Sequence, residues 1–274
     1  MAAMSLAACS KSVETGNLIA NAVIGDNTRT VYTENGPGSG IKVNWADAES
    51  FKAYHAESSE PVVFRKNTAG SIFSAEDVPA GVTSATVFHA LYGNAATMGT
   101  DRKISIDFSS QDGTVDGLAD YDVMTADSGT EGNALSFAFR HDCAILRLKC
   151  INHTTKEIDQ VTLSFEKAAV SDMFSTTGLT YNSIHQPTLS FKLSTPVAKG
   201  SSEYGKGTVE YRYAAVPAMR YDPSGTIGLP IGNFSEFQKT LELDKTKTIE
   251  AGKVYDVTCH AGAEEDEGGG FWGE

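Results

Sequence analysis

Apolar and polar residues alternate in steps of two along most of this chain, which is the signature of half-buried β-strands. Leu18, Ala20, Ala22 and Ile24 share one parity. Ile41, Val43 and Trp45 follow, then the stretch from Phe51 to Ala56, then Val62-Val63-Phe64. Ala85 to Tyr92 and Lys103 to Phe108 read the same way. Leu135, Phe137 and Phe139 lie on one face, whereas Ala144, Leu146, Leu148 and Cys150 take the opposite parity. That change of phase near Asp142 predicts a bulge or a break between strands. Val161-x-Leu163-x-Phe165, Leu189-x-Phe191-x-Leu193 and Val209-x-Tyr211-x-Tyr213 continue the pattern. Ile227 to Ile231, Leu241 to Leu243 and Val254 to Val257 complete it.

No long stretch carries a 3.6-residue period. Ala46–Ser50 and Ser74–Val78 are each predicted to hold at most a turn of helix. Clusters of Gly, Asn, Asp, Ser and Pro separate the strands, as at Asn35–Gly40 and Asp222–Gly225. Many short strands with such punctuation predict an all-β protein built from sandwiches or barrels. A boundary between two units is expected near Lys167–Phe174, after the densest group of strands. The run Glu264-Glu265-Asp266-Glu267-Gly268-Gly269-Gly270 cannot form a core and reads as a solvated tail.

Composition narrows the function. The chain has 274 residues, 41% of them apolar, so it can bury two cores. Its net charge of −13 repels phosphate backbones and anionic membranes, which argues against nucleic acid as a partner. Cys9, Cys143, Cys150 and Cys259 form no Cys-x-x-Cys pair, so a zinc site has little support. Cys143 and Cys150 lie in one strand, roughly 23 Å apart if it is straight, too far for a disulfide. Either can approach Cys259 in space, and otherwise both are buried small hydrophobes. Asp112, Asp116, Asp120 and Asp122 gather on one loop-like stretch, but without the spacing of a calcium loop. No Gly-x-Ser-x-Gly elbow and no phosphate loop is present in context. The expectation is a non-enzymatic protein with no cofactor and no metal.

The N-terminus carries the strongest local signal. Leu6-Ala7-Ala8-Cys9, followed by Ser10 and Lys11, has the form of a lipobox. Small residues before the cysteine suit a signal peptidase, and the Cys9 thiol is the acceptor of a diacylglyceryl group. Acyl chains anchor a protein by about 0.8 kcal/mol per buried methylene. Residues 1–9 are read as the end of a truncated lipoprotein signal.

Further stretches follow in order: Thr28-Arg29-Thr30-Val31, Val43-Asn44-Trp45 before Phe51, and Asp120-Tyr121-Asp122-Val123-Met124-Thr125-Ala126. Phe137-Ala138-Phe139-Arg140-His141-Asp142-Cys143-Ala144, Val216-Pro217 and Glu250-Ala251-Gly252-Lys253-Val254-Tyr255 complete the set. Together these stretches resemble the fimbrillin-like lipoprotein family, which includes type V pilus subunits. The resemblance implies two tandem transthyretin-like β-sandwich domains, taken as residues 30–167 and 168–262, with 263–274 as the tail. It implies export as an outer-membrane lipoprotein through Cys9, then cleavage by an Arg-specific protease between Arg29 and Thr30. Residues 10–29 would be a pro-segment carrying the strand at 18–24. Removing an edge-filling strand leaves an apolar groove with unpaired backbone, which a strand from another subunit can refill. The implied partners are other pilus subunits, a surface receptor or glycan, and the outer membrane through the lipid. The tail after Cys259 is a poor strand former, which points to a tip or accessory subunit or to a lipoprotein that never polymerises. The competing expectation is a glycan-binding surface lipoprotein that stays anchored through Cys9.

Overall fold

The structure is a computed structural model that describes residues 18–24, 33–34, 41–42, 49–56, 58–67, 71–166, 168–170, 174–177, 179–181, 187–200, 207–221, 237–242 and 248–262. Strands dominate the described residues, and helix is confined to short turns. The first half holds β1 (Leu18–Ile24), β2 (Thr33–Glu34), β3 (Ile41–Lys42), β4 (Ser50–His55), β5 (Val62–Lys66), β6 (Ile72–Ala75) and β7 (Phe88–Tyr92). Then come β8 (Ala96–Met98), β9 (Ile104–Asp107), a 3-10 turn at Phe108–Ser110, α1 (Leu118–Tyr121), β10 (Met124–Glu131) and β11 (Ala134–His141). The chain continues through β12 (Cys143–Asn152), β13 (Ile158–Glu166), β14 (Ala168–Val170), β15 (Phe174–Thr177) and β16 (Leu179–Tyr181). It ends in β17 (Pro187–Val197), β18 (Thr208–Pro217), β19 (Met219–Tyr221), β20 (Phe237–Glu242) and β21 (Val254–Ala261). The helical turn expected at Ser74–Val78 is absent: Ser74 and Ala75 end β6, where Phe73 and Ala75 bury alternate side chains. Ser50 belongs to β4 rather than to a helical turn.

Seven strands close into one barrel in the order β1-β11-β10-β7-β4-β5-β6. Alternation explains its filling. Phe51 from β4, Phe64 from β5, Phe73 from β6, and Phe137 and Phe139 from β11 all point inward and are buried. Phe51 is the hub: its ring centroid lies 5.1 Å from those of Phe64, Phe73, Phe137 and Phe139. Where the resemblance implies a sandwich of two open sheets, this group is one sheet closed on itself. The physical reason is that β1 bridges two edges that would otherwise stay open.

A second cluster of buried residues draws on β12, β13, β17, β18 and β21 after Asp142, and on β8, β9 and α1 before it. Its sheets run β18-β12-β21 and β16-β17-β13-β20. β12 is buried along almost its whole length, as a central strand flanked by β18 and β21 should be. The change of parity at Asp142 is thus the point where the chain leaves the barrel core for the other one. β12 and β13 contribute to this cluster together with β17, β18 and β21.

Several polar groups at the junction are paired, while His141 Nε2 is buried without a hydrogen-bond partner among the described residues. His141 Nδ1 and Asp122 Oδ1 are 2.7 Å apart with both side chains almost wholly buried. Thr125 donates its hydroxyl to Asp142 Oδ2 at 2.6 Å. Burial pushes the Asp142 carboxyl above the usual carboxylate range, and the Thr125 hydrogen bond only partly offsets this. Cys143, Cys150 and Cys259 are buried, with Cys150 directly opposite Cys259 on the parallel pair β12–β21. Burial raises the Cys143 and Cys150 thiols well above their ordinary range, so both are neutral at physiological pH. Tyr213 is buried and Tyr211 is partly buried against the second cluster.

The outer edge of β18 is covered by a side chain that imitates a strand. Gln111 is buried; its Oε1 accepts from Ala215 N at 2.6 Å, and its Nε2 donates to Ala215 O at 3.0 Å and Phe108 O at 3.0 Å. Gly113, at φ +79, lets its carbonyl accept from Tyr213 N, and a Cβ there would strike Leu193. Such cover protects a sheet edge from pairing with other chains. Gln111→Leu keeps the bulk but strands the amide and carbonyl of Ala215. It is expected to cost about 2 kcal/mol in urea unfolding, whereas an exposed polar change costs about 0.5 kcal/mol or less.

Candidate functional site

The strand expected from Leu18 to Ile24 is present with those bounds, and it occupies a slot between two others. It pairs in parallel with β11, with Ala20 opposite Leu135, Ala22 opposite Phe137 and Ile24 opposite Phe139. It pairs antiparallel with β6, with Leu18 opposite Ala75 and Ala20 opposite Phe73. Ala22 N adds a hydrogen bond to Ser71 O at 3.0 Å. Neither neighbour is adjacent to β1 in the chain, so no hairpin ties it in place. Without β1 the other five seams of the barrel remain, with β6 still paired to β5 and β11 to β10.

The slot is narrow, and sequence explains why. Leu18, Ala20 and Ala22 face inward and are buried, the two alanines completely. Bulky residues on the flanking strands, Phe73, Leu135 and Phe137, stand across from those alanines. Small side chains on β1 let the aromatic rings close over it, and a larger residue at Ala20 or Ala22 would overfill the barrel. On the outer face Ile19 is 53% exposed, Val23 52% and Ile72 43%. This apolar stripe runs over the inserted strand and its neighbour.

Taking β1 away would leave unpaired N–H and C=O groups along β6 and β11 and would uncover Phe73, Leu135 and Phe137. Buried backbone groups without partners are costly, and an apolar edge strand is a template for another strand. What the arrangement offers, without any reactive group, is a strand-shaped slot between two paired edges.

The three sequence-predicted site residues, Cys9, Arg29 and Thr30, lie outside the described residues. So does Ile227–Ile231. The acidic stretch does not converge on one point. Asp112 Oδ1 accepts from Thr114 N at 2.9 Å and its hydroxyl at 2.8 Å, Asp120 Oδ1 accepts from Asn94 at 2.8 Å, and Asp122 pairs with His141. Among the described residues no three His, Cys, Asp or Glu side chains gather as metal ligands. No helix among them is long and apolar enough to cross a membrane. The partner that sequence reading missed is β6, whose signal was the alternation of Phe73 and Ala75 before the turn-forming Glu76-Asp77.

No protein-family model matches the chain, and no curated protein matches it. Among solved structures it is similar to a proposed cell adhesion protein of Bacteroides ovatus, at 13% identity and TM-score 0.40, over 89% of this chain and 92% of that one. A fimbrial protein of Bacteroides ovatus aligns at 12% identity and TM-score 0.28, over 89% of this chain and 50% of that one. A proposed cell adhesion protein of Bacteroides uniformis aligns at 14% identity and TM-score 0.35, over 89% and 92%.

Proposed function

We propose that this protein is a cell-surface subunit of a fimbrium, structural or adhesive rather than catalytic, which assembles by strand donation. β1 is the placeholder. It holds the barrel closed during export as a lipoprotein acylated at Cys9, and cleavage after Arg29 then frees it to be replaced. The observation that supports this reading is the placement of β1: an inserted strand with no hairpin partner, closing a barrel whose other six strands pair without it. A donor strand from another subunit would need small residues at the two positions now held by Ala20 and Ala22.

The test is assembly after proteolysis. Wild-type protein treated with an Arg-specific protease is expected to begin at Thr30 and to form multimers, seen by size-exclusion chromatography together with a donor subunit. Arg29→Ala is expected to unfold at the same temperature as wild type yet remain monomeric. Efficient multimerisation of Arg29→Ala would remove the proposal.

A further inference from the structure

A second feature of the barrel has nothing to do with how its sheet closes. An open cleft of about 440 Å³ lies between the outer face of β7, β10 and β11 and the turn joining β8 to β9. Its volume falls in the range of small-ligand sites. Three cations line it: Arg102 and Lys103 on the turn, and Arg140 on β11. That is unusual on a chain whose net charge is −13.

The carboxylates in the cleft are already engaged, and the cations are not. Asp127 is held by His89 Nδ1 at 2.5 Å, and Asp101 Oδ1 accepts from Lys103 N at 3.1 Å to shape the turn. Among the described residues the Arg102, Lys103 and Arg140 side chains make no hydrogen bond or salt bridge; Arg140 has only electrostatic reach to Asp142. The cleft thus has positive charge to spare and fixed acceptors beside it.

The turn itself is built at a cost. Gly99 N donates to Lys103 O at 2.9 Å and Arg102 N to Gly99 O at 2.9 Å, which closes a short hairpin loop. Arg102 has φ +62, the left-handed position that such loops normally give to Gly or Asn. Arg102 thus lines the cleft from a mildly strained backbone position.

We infer that this cleft binds a small carboxylated sugar, with Arg102, Lys103 and Arg140 contacting the carboxylate. Arginine forks match a carboxylate with two parallel hydrogen bonds. The Oδ2 atoms of Asp127 and Asp101, which those hydrogen bonds leave open, suit sugar hydroxyls, which an inorganic anion lacks. Met98 supplies an apolar wall for the C–H face of a ring.

Calorimetric or NMR titration of the full chain with glucuronate tests this. Saturable binding is expected, with glucose and inorganic sulfate each binding about tenfold or more weakly, since each lacks one half of the recognition. Arg102→Gly and Arg140→Gln are each expected to weaken glucuronate about tenfold. Arg102→Gly should unfold at a temperature no lower than wild type, because glycine suits the turn, so its loss of binding cannot be laid to misfolding. Arg65→Gln, an exposed arginine elsewhere on the barrel, should bind as wild type does. Absence of saturable binding, sulfate binding as tight as glucuronate, or wild-type affinity in Arg102→Gly and Arg140→Gln would overturn the inference.

Discussion

A chain lacking residues 1–24 is expected to unfold at least about 10 °C below the full-length protein and to bind a hydrophobic dye in its folded state. Two sums lead there. β1 contributes backbone pairing on both sides, five residue pairs with β11 and four with β6. At about 0.5–1.5 kcal/mol net per hydrogen bond, with burial of Leu18 adding about 2 kcal/mol, the loss exceeds about 5 kcal/mol. Domains of this kind hold roughly 5–15 kcal/mol in all, so the first core becomes marginal. Dye binding follows because Phe73, Leu135 and Phe137 lose their cover. A chain lacking residues 1–16, which keeps β1, is the control and should behave as full-length protein in both assays. An unchanged midpoint without dye binding in the shorter chain would mean that the barrel does not need its seventh strand.

Phe51→Ala is expected to cost about 4 kcal/mol in urea unfolding, the largest single-residue effect in the barrel. Phe51 is buried, and four aromatic rings surround it at 5.1 Å, one stacked at an interplanar angle of 8°. These rings come from β5, β6 and β11, so the hole left by alanine lies where several strands meet and cannot be filled by one neighbour moving. Edge and stacked pairs add about 0.5–1.5 kcal/mol beyond area burial, and alanine forfeits them. Val63→Ala is a fair comparison, since Val63 sits on the outer face of β5 at 39% exposure, and it should cost about 0.5 kcal/mol or less. A loss below about 1 kcal/mol for Phe51→Ala would show that the aromatic cluster is not the barrel's centre.

Much of this architecture is legible in the residues. A strand with one buried face writes its own period, so β1, β4, β5, β11, β13 and β17 are visible as alternation. The shift of parity at Asp142 is also visible, though alternation does not say which core a strand joins. β12 therefore reads as a continuation of the first unit while it packs in the second. β10 escapes the pattern because its first three residues are buried and the rest is solvated and polar. The four-residue α1 is too short to show a helical period. Gln111 looks like any loop glutamine, because its role is set by Ala215, far away in the chain. The cleft is invisible for the same reason: Arg102 and Arg140 come to line it only after β8, β9 and β11 are folded. Cys9, Arg29 and Thr30 rest on sequence alone.

The central claim is that the groove now holding β1 accepts another strand. NMR titration of the chain beginning at Thr30 with a peptide of residues 18–24 tests it most directly. The account predicts saturable binding of one peptide per chain, with amide shifts concentrated at residues 72–75 and 135–139 and the thermal midpoint restored. A chain beginning at Thr30 that is as stable as the full-length protein, and whose spectrum ignores the peptide, would contradict it.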